Sequence, residues 1–291
     1  MPPISRILVP VDFSARCLGM MPYVKALARQ YQAEVVLLHV VNPVYAIPET
    51  GISAPVLVPV PQWFLAEKER EVERFAVAEL EGIRVRRLTY EGEPEAQIAA
   101  FTKAEDVQLV IMPTHGHGIL RRYLIGSVTA KVLHDVTCPV LTGTHMETHD
   151  SLADVKISHV ACAVDLSAHS YVVLAWASGL AADFGAKLSL LHVMTSSGPD
   201  LDQDASAGIQ RSWEDAVRAE LDKLQAAVGV PAANICIPRG NVAREVCGYA
   251  KSLGAGLLVI GRSVSDADSG GRLRTNSYSI IRLASCPVAS V

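Results

Sequence analysis

Long apolar runs are missing from this sequence. None of the 291 residues lies in a run reaching the roughly 18 that a membrane-spanning helix needs, and the start, MPPISRILVPVDFS, lacks the charged and apolar regions of a signal peptide. A cytoplasmic protein is expected. Basic charge is in short supply as well: 26 Lys and Arg stand against 30 Asp and Glu, a formal net charge of −4. That supplies no field for nucleic acid or an anionic membrane, and neither is expected as a partner. The six cysteines, Cys17, Cys138, Cys162, Cys236, Cys247 and Cys286, contain no C-x-x-C pair and no zinc spacing. They read as free buried thiols acting as small hydrophobes. Enzyme signatures are absent too. There is no G-x-x-x-x-G-K-[ST], no G-x-S-x-G and no H-E-x-x-H. With no base visible beside a nucleophile, no catalytic residue is assigned.

What is present is apolar and repetitive. Half of the residues are hydrophobic and 19% are charged, enough for a sizeable core, and the length suits two domains of about 140 residues. The stretch Arg6-Ile7-Leu8-Val9-Pro10-Val11-Asp12-Phe13-Ser14 returns 153 positions later as His159-Val160-Ala161-Cys162-Ala163-Val164-Asp165-Leu166-Ser167. The same offset carries Leu37-Leu38-His39-Val40 onto Leu190-Leu191-His192-Val193. Later landmarks, Gly92 with Gly240 and Cys138-Pro139-Val140 with Cys286-Pro287-Val288, are 148 apart, so the first copy holds five extra residues between its second and third strands. The chain is a tandem duplication.

Apolar runs near 6–12, 34–41, 84–90, 107–112 and 139–142 read as strands, as do 158–165, 187–193, 234–238, 256–261 and 287–291. Helical patterns fill the gaps, among them Ala15–Tyr31, Gln62–Glu81, Glu95–Glu105 and Ser127–His134. Continuously apolar strands alternating with amphipathic helices argue for an α/β fold: two tandem doubly wound five-stranded parallel sheets, Rossmann-like, one per repeat. The expected divisions are a domain at 1–143, a linker at 144–156 and a second domain at 157–291. His145, His149 and His159 in and beside that linker have no fixed geometry for a metal, and no metal site is expected. Residues 42–61 carry Pro43, Pro48, Pro55, Pro59 and Pro61 with apolar residues between them. The prolines exclude a central strand or helix. An extended loop over the carboxyl edge is expected, covering a partner subunit or domain in preference to acting as a lid.

Ligands of such sheets bind outside the carboxyl ends of the strands. There the stretch 107–128, VQLVIMPTHGHGILRRYLIGSV, runs from an apolar strand into a loop with Gly116, Gly118 and Gly126, and then into a helix at Ser127 and Val128. Backbone N–H groups at that helix start would seat an anion such as a phosphate, with Ser127 adding a hydroxyl. The bland alternative is a glycine-rich turn with Ser127 as an ordinary N-cap. Asp12 admits two readings as well, as a hydrogen-bond acceptor for a ligand or as a cap of the next helix shared with Ser14. His39 and His192 read as satisfied core histidines. Arg121 and Arg122 are equally ordinary as exposed arginines or as phosphate contacts.

The loop resembles the phosphate loop of the universal stress protein family, whose ATP-binding members carry G-x2-G-x9-G-[S/T]. Gly116, nine residues, then Gly126-Ser127 match, and His115 stands at the usual histidine. Pro113 departs: it occupies the place of the first glycine and has no N–H to offer. The resemblance covers both halves and implies an adenine nucleotide alpha hydrolase-like fold and a role in stress response. It implies ATP, ADP or AMP as ligand, with Mg2+, and at most slow hydrolysis. It implies a nucleotide site at Pro10, Val11, Asp12, Val40, Met112, Pro113, His115, Gly116, Gly126, Ser127 and Val128. In the second half the corresponding positions are Asp165, Val193, Gly261 and Thr275, but Val264 and Arg274 replace two glycines and Asp266 and Asp268 would repel a polyphosphate. Arg262, Arg272 and Arg274 could offset that charge. Nucleotide is therefore expected mainly in the first half. The resemblance also implies pairing through Val140-Leu141 and Val288–Val291, as a pseudo-dimer of the halves or a homodimer, and an unknown protein partner. The competing reading is an interaction protein whose sites are vestigial.

Overall fold

Ile7, Leu8 and Val9 are all at 0% exposure, which a strand reaches when both of its faces are covered. They form the middle of β1 (Arg6–Pro10). The computed structural model describes residues 3–46, 56–115, 125–143, 154–195, 203–231, 233–262 and 275–291, in two compact units built on Pro2–Leu141 and Lys156–Val291.

In the first unit β1 is followed by α1 (Ala15–Gly19), α2 (Met21–Tyr31), β2 (Glu34–Val41), β3 (Val44–Ala46), β4 (Val56–Val58), α3 (Gln62–Arg74), β5 (Val85–Glu91), α4 (Pro94–Ala104), β6 (Leu109–Ile111), α5 (Ser127–Asp135) and β7 (Val140–Thr142). Five strands form a parallel sheet in the order β7-β6-β1-β2-β5, with Ile7 opposite both Val35 and Leu109. Counted along the chain this is 5-4-1-2-3, so the order reverses between β1 and β6. A crevice opens there at the carboxyl ends of the strands.

Three expectations change in this unit. The helix expected over Ala15–Tyr31 breaks at Met20, because Pro22 cannot continue a helix and instead occupies the first turn of α2. The helix expected over Gln62–Glu81 ends at Arg74. Arg87 of β5 donates from Nε to the carbonyl of Val72 (3.2 Å) and from its terminal nitrogen to that of Phe75 (3.3 Å), Phe75 is extended and Ala76 turns left-handed at φ 53°. Within the proline-rich loop, β3 and β4 form a separate antiparallel pair, Tyr45 opposite Leu57. Pro43, Pro59 and Pro61 lie outside both strands, where no ladder bond needs their missing N–H; Pro48 and Pro55 lie outside the described residues.

The second unit repeats the plan with β8 (His159–Ala163), α6 (Ser170–Asp183), β9 (Lys187–Leu191), α7 (Gln203–Val228), β10 (Asn234–Cys236), α8 (Val242–Ser252), β11 (Leu257–Ile260), α9 (Thr275–Leu283) and β12 (Val288–Ser290). Its parallel sheet runs β10-β9-β8-β11-β12, and its reversal lies between β8 and β11. The five extra residues of the first copy fall where that copy has β3, β4 and α3 and the second has α7. Gly92, directly after β5, and Gly240, four residues beyond β10, both have φ near 140°, and their amides close onto Val41 and Met194.

All six cysteines are free; Cys17, Cys162, Cys247 and Cys286 are buried, whereas Cys138 and Cys236 are only half-buried. Among the described residues no helix is long and apolar enough to cross a membrane. The linker residues 144–153, with His145 and His149, lie outside the described residues.

Candidate functional site

At the end of β1 the chain must turn at once into a helix, and the turn is made by Asp12-Phe13-Ser14. Val11 N–H still pairs with Leu38 O at 2.9 Å. Phe13 then takes φ 62°, a left-handed conformation that costs a bulky side chain energy and is kept where the surroundings enforce it. Ser14 is the N-cap of α1, its Oγ accepting the Cys17 amide. Asp12 is not the cap: its Oδ1 accepts the Ser14 amide at 3.0 Å and the Cys17 thiol at 2.9 Å. The second half builds the same turn with Leu166 at φ 61° and Asp165 Oδ1 accepting the Ser167 amide at 3.0 Å and the Ser170 hydroxyl at 3.2 Å.

His39, beside this turn, bonds Val11 O through Nδ1 at 2.8 Å, and His192 bonds Val164 O at 3.0 Å. Both are satisfied, as expected. His39 also stacks on Phe13, ring centroids 4.4 Å apart. Burial lowers its pKa against the opposing bond to Val11, so the ring is neutral at pH 7.

At the end of β6 the loop is stapled to the first turn of α5. Gly126 N–H donates to Thr114 O at 2.8 Å and Thr129 Oγ1 donates to Pro113 O at 3.0 Å. Gly126, not Ser127, is the N-cap, and Ser127 is the first helical residue. The Gly126 amide is therefore spent inside the protein, and the first-turn amides of Ser127, Val128 and Thr129 remain as those that no helical carbonyl reaches. A Cβ on Gly126 would stand 3.3 Å from Thr114 O. Ser277 repeats the second staple onto Gly261 O, longer at 3.4 Å. His115 bonds Thr114 Oγ1 through Nδ1 at 2.9 Å, while its Nε2 is buried with no partner among the described residues. Burial first, and the charge of Arg16 second, push its pKa down.

These two loop ends enclose a cleft of about 310 Å³. Of the eleven residues expected for the first half, ten line it; the eleventh, Gly116, lies outside the described residues, as do Gly118, Arg121 and Arg122. Five lining residues had no motif to reveal them: Cys17, Asn42, Pro94 and Ile98 of α4, and Thr129 of α5. A signal was present for Cys17 and α4: Cys17 stands one turn beyond Asp12, and α4 opens two residues after the Gly92 turn. Among the described residues no Lys or Arg lines the cleft.

The matching cleft of the second half holds about 130 Å³. Asp165 and Gly261 line it, together with Ser167, His169, Ser170 and Asn276. Val193 is buried and is not among the lining residues. Thr275 begins α9, while the loop 263–274, with Val264, Asp266, Asp268, Arg272 and Arg274, lies outside the described residues. Arg262, expected to offset charge in that loop, is buried at 3% exposure, in the place that Thr114 holds in the first half.

Comparison with known proteins bears on both halves. The model of the Universal stress protein family matches residues 3–142 and again residues 156–291. A universal stress protein of Bacillus subtilis, YxiE, is 30% identical over 146 residues, covering 47% of this chain and 97% of that protein. MJ0531, a universal stress protein of Methanocaldococcus jannaschii, is 29% identical over 139 residues, 47% of this chain and 80% of its own. Over the whole chain, the crystal structure of a universal stress protein from Archaeoglobus fulgidus superimposes with a TM-score of 0.67 at 20% identity, covering 99% of this chain and 98% of that one.

Proposed function

The chain belongs to the universal stress protein family, and from that premise we propose that its first half binds ATP or another adenine nucleotide, as a cytoplasmic sensor or binding module of the stress response and not as an enzyme. One observation carries the reading. Residues from the ends of β1, β2 and β6 converge on one cleft at the reversal of strand order, and its volume reaches the lower bound of small-molecule sites, roughly 300 Å³.

The chemistry of the cleft fits such a ligand part by part. The Asp12 carboxylate accepts hydrogen bonds from sugar hydroxyls. The backbone at Val40 faces the adenine edge, as the family resemblance implies. The amides of Ser127 and Val128, with the dipole of α5 behind them, favour a phosphate. Among the described residues no cluster of three His, Cys, Asp or Glu could hold a metal, so Mg2+ would arrive on the phosphates of the nucleotide. The second half offers less than half the volume and is proposed to bind no nucleotide.

A second reading, an interaction protein with a vestigial site, is favoured by the loss of two loop amides: Pro113 has none, and that of Gly126 is spent on Thr114 O. Calorimetric titration with ATP, ADP and AMP in the presence of Mg2+ separates the two. Nucleotide binding at one site per chain, abolished by Gly126→Ala with Ser127→Ala, is expected. Absence of heat with every nucleotide would leave the interaction reading.

A further inference from the structure

Asp12 and His39 both line the first cleft, and Phe13 touches both: it follows Asp12 in the chain, and its ring lies against the His39 imidazole, centroids 4.4 Å apart. Asp12 Oδ1 accepts the Ser14 amide at 3.0 Å, a bond that spans Phe13 and holds it at φ 62°, where a bulky residue is strained. A ligand that engages Asp12 therefore bears on the turn that sets where the Phe13 ring lies. On the side of α3 that ring has two contacts. The ammonium of Lys68 sits over it, 5.3 Å from the centroid, and Phe75, which caps the end of the helix, meets it edge to face at 5.7 Å.

From Lys68 the contacts run on to the surface. Its ammonium is also 5.6 Å from the Phe64 ring, which meets Trp63 edge to face at 5.7 Å, and Trp63 is 67% exposed. The series His39, Phe13, Lys68, Phe64 and Trp63 is thus continuous from the cleft wall to solvent. Phe75 in turn precedes Ala76, left-handed at φ 53°, so the Phe13 ring joins two strained turns, the one that carries Asp12 and the one that ends α3. The second half lacks both parts. Leu166 takes φ 61° at the place of Phe13 and has no ring, and α7 runs from Gln203 to Val228 where the first half has α3. The turn itself needs no aromatic residue; the ring is an addition of the half with the larger cleft.

We infer that Phe13 couples the first cleft to α3: occupation of the cleft at Asp12 and His39 fixes the Phe13 ring, the ring fixes α3 through Lys68 and Phe75, and the bound state is displayed on the exposed face of the helix at Trp63. The inference rests on the nucleotide reading of the first half and adds the place where that half shows its occupancy. Two sites linked in this way stabilise each other by the same factor, so the nucleotide-bound form has the more stable α3.

The test is amide hydrogen exchange of the full chain with and without ATP and Mg2+, with calorimetry to count the ligand and tryptophan emission as a second readout. ATP should slow exchange in α3 by about fivefold or more, the lower end of typical coupling between sites. It should also shift the tryptophan emission, and that shift should be absent in Trp63→Phe. Phe13→Leu, which installs the residue that the second half carries in the same turn, should still bind one ATP per chain and lose both responses. Lys68→Ala, which leaves the turn untouched, should still bind one ATP and lose the emission shift. ATP bound by wild type without slower exchange in α3, an emission shift kept in full in either variant, or loss of ATP binding itself in Phe13→Leu would overturn the inference while leaving the nucleotide reading in place. A wild type that binds no ATP would overturn both.

Discussion

The Cys17 thiol sulfur stands 2.9 Å from Asp12 Oδ1, and 153 positions on the Ser170 hydroxyl stands 3.2 Å from Asp165 Oδ1. In both halves the same carboxylate oxygen is held by an amide two residues ahead and a side-chain donor five residues ahead, so the direction of the carboxylate is set before any ligand arrives. Burial, and next the charge of Asp12, push the Cys17 thiol well above its ordinary range, so it stays a neutral donor. Cys17→Ser should keep ATP affinity within about threefold of wild type. Cys17→Val removes one hydrogen bond of about 1 kcal/mol and should weaken ATP about fivefold by calorimetry. Equal affinities for the three proteins would show that the thiol does not position Asp12.

Buried thiols also make stability fall in alkali. Burial raises Cys247 to about 11, and burial with the neighbouring Cys247 raises Cys286 to about 12; burial pushes Cys162 further up. The unfolded chain ionises these thiols near 9 while the folded protein keeps them neutral. Their contribution is thus complete below about pH 9 and is lost as pH rises through the folded values. Tm measured from pH 7 to 11 should decline from about pH 9, and Cys162→Ala with Cys286→Ala should flatten the decline relative to wild type. Parallel curves would contradict this assignment.

Pro113 is held by Thr129 through its carbonyl and gives nothing through its nitrogen. Pro113→Gly restores an amide at the position where the second half has Gly261. ATP affinity should rise about tenfold if that amide reaches a phosphate, and stability should fall by about 0.4–1 kcal/mol because the unfolded chain gains freedom. Weaker ATP binding by calorimetry would show that the rigidity of proline matters more than the lost donor.

Arg87 closes the end of α3 by taking two carbonyls, at the end of the helix where a cation is favoured. Arg87→Ala should cost about 1 kcal/mol in urea unfolding and lower the helical circular dichroism signal as the last turn frays. Arg87→Lys should recover only part, since one ammonium cannot repeat the fork. An unchanged midpoint for Arg87→Ala would remove this contact as the reason for the early helix end.

The repeat and the two sheets were legible because a buried parallel strand leaves an unbroken apolar run such as Ile7-Leu8-Val9, and such runs recur with their flanking Asp and Gly. The residues of the first cleft were legible through the family pattern, which names positions next to strands. Features that depend on partners distant in sequence were not. The use of the Gly126 amide depends on Thr114 across the loop, and the early end of α3 depends on Arg87 of β5. The strands β3 and β4, three residues each, are too short for periodicity and exist only as a pair. Pro94 and Ile98 enter the cleft because α4 starts at the same sheet edge, a matter of topology that no local pattern states. Arg262 had the residue type of a loop charge, but it stands two residues after the buried strand β11 and is itself buried.

The central claim is that the first half holds one adenine nucleotide and the second holds none. Native mass spectrometry of the full chain with saturating ATP and Mg2+ counts the ligands directly. One nucleotide per chain is expected, retained in Asp165→Ala and lost in Asp12→Ala. None per chain, or two falling to one in Asp165→Ala, would contradict it.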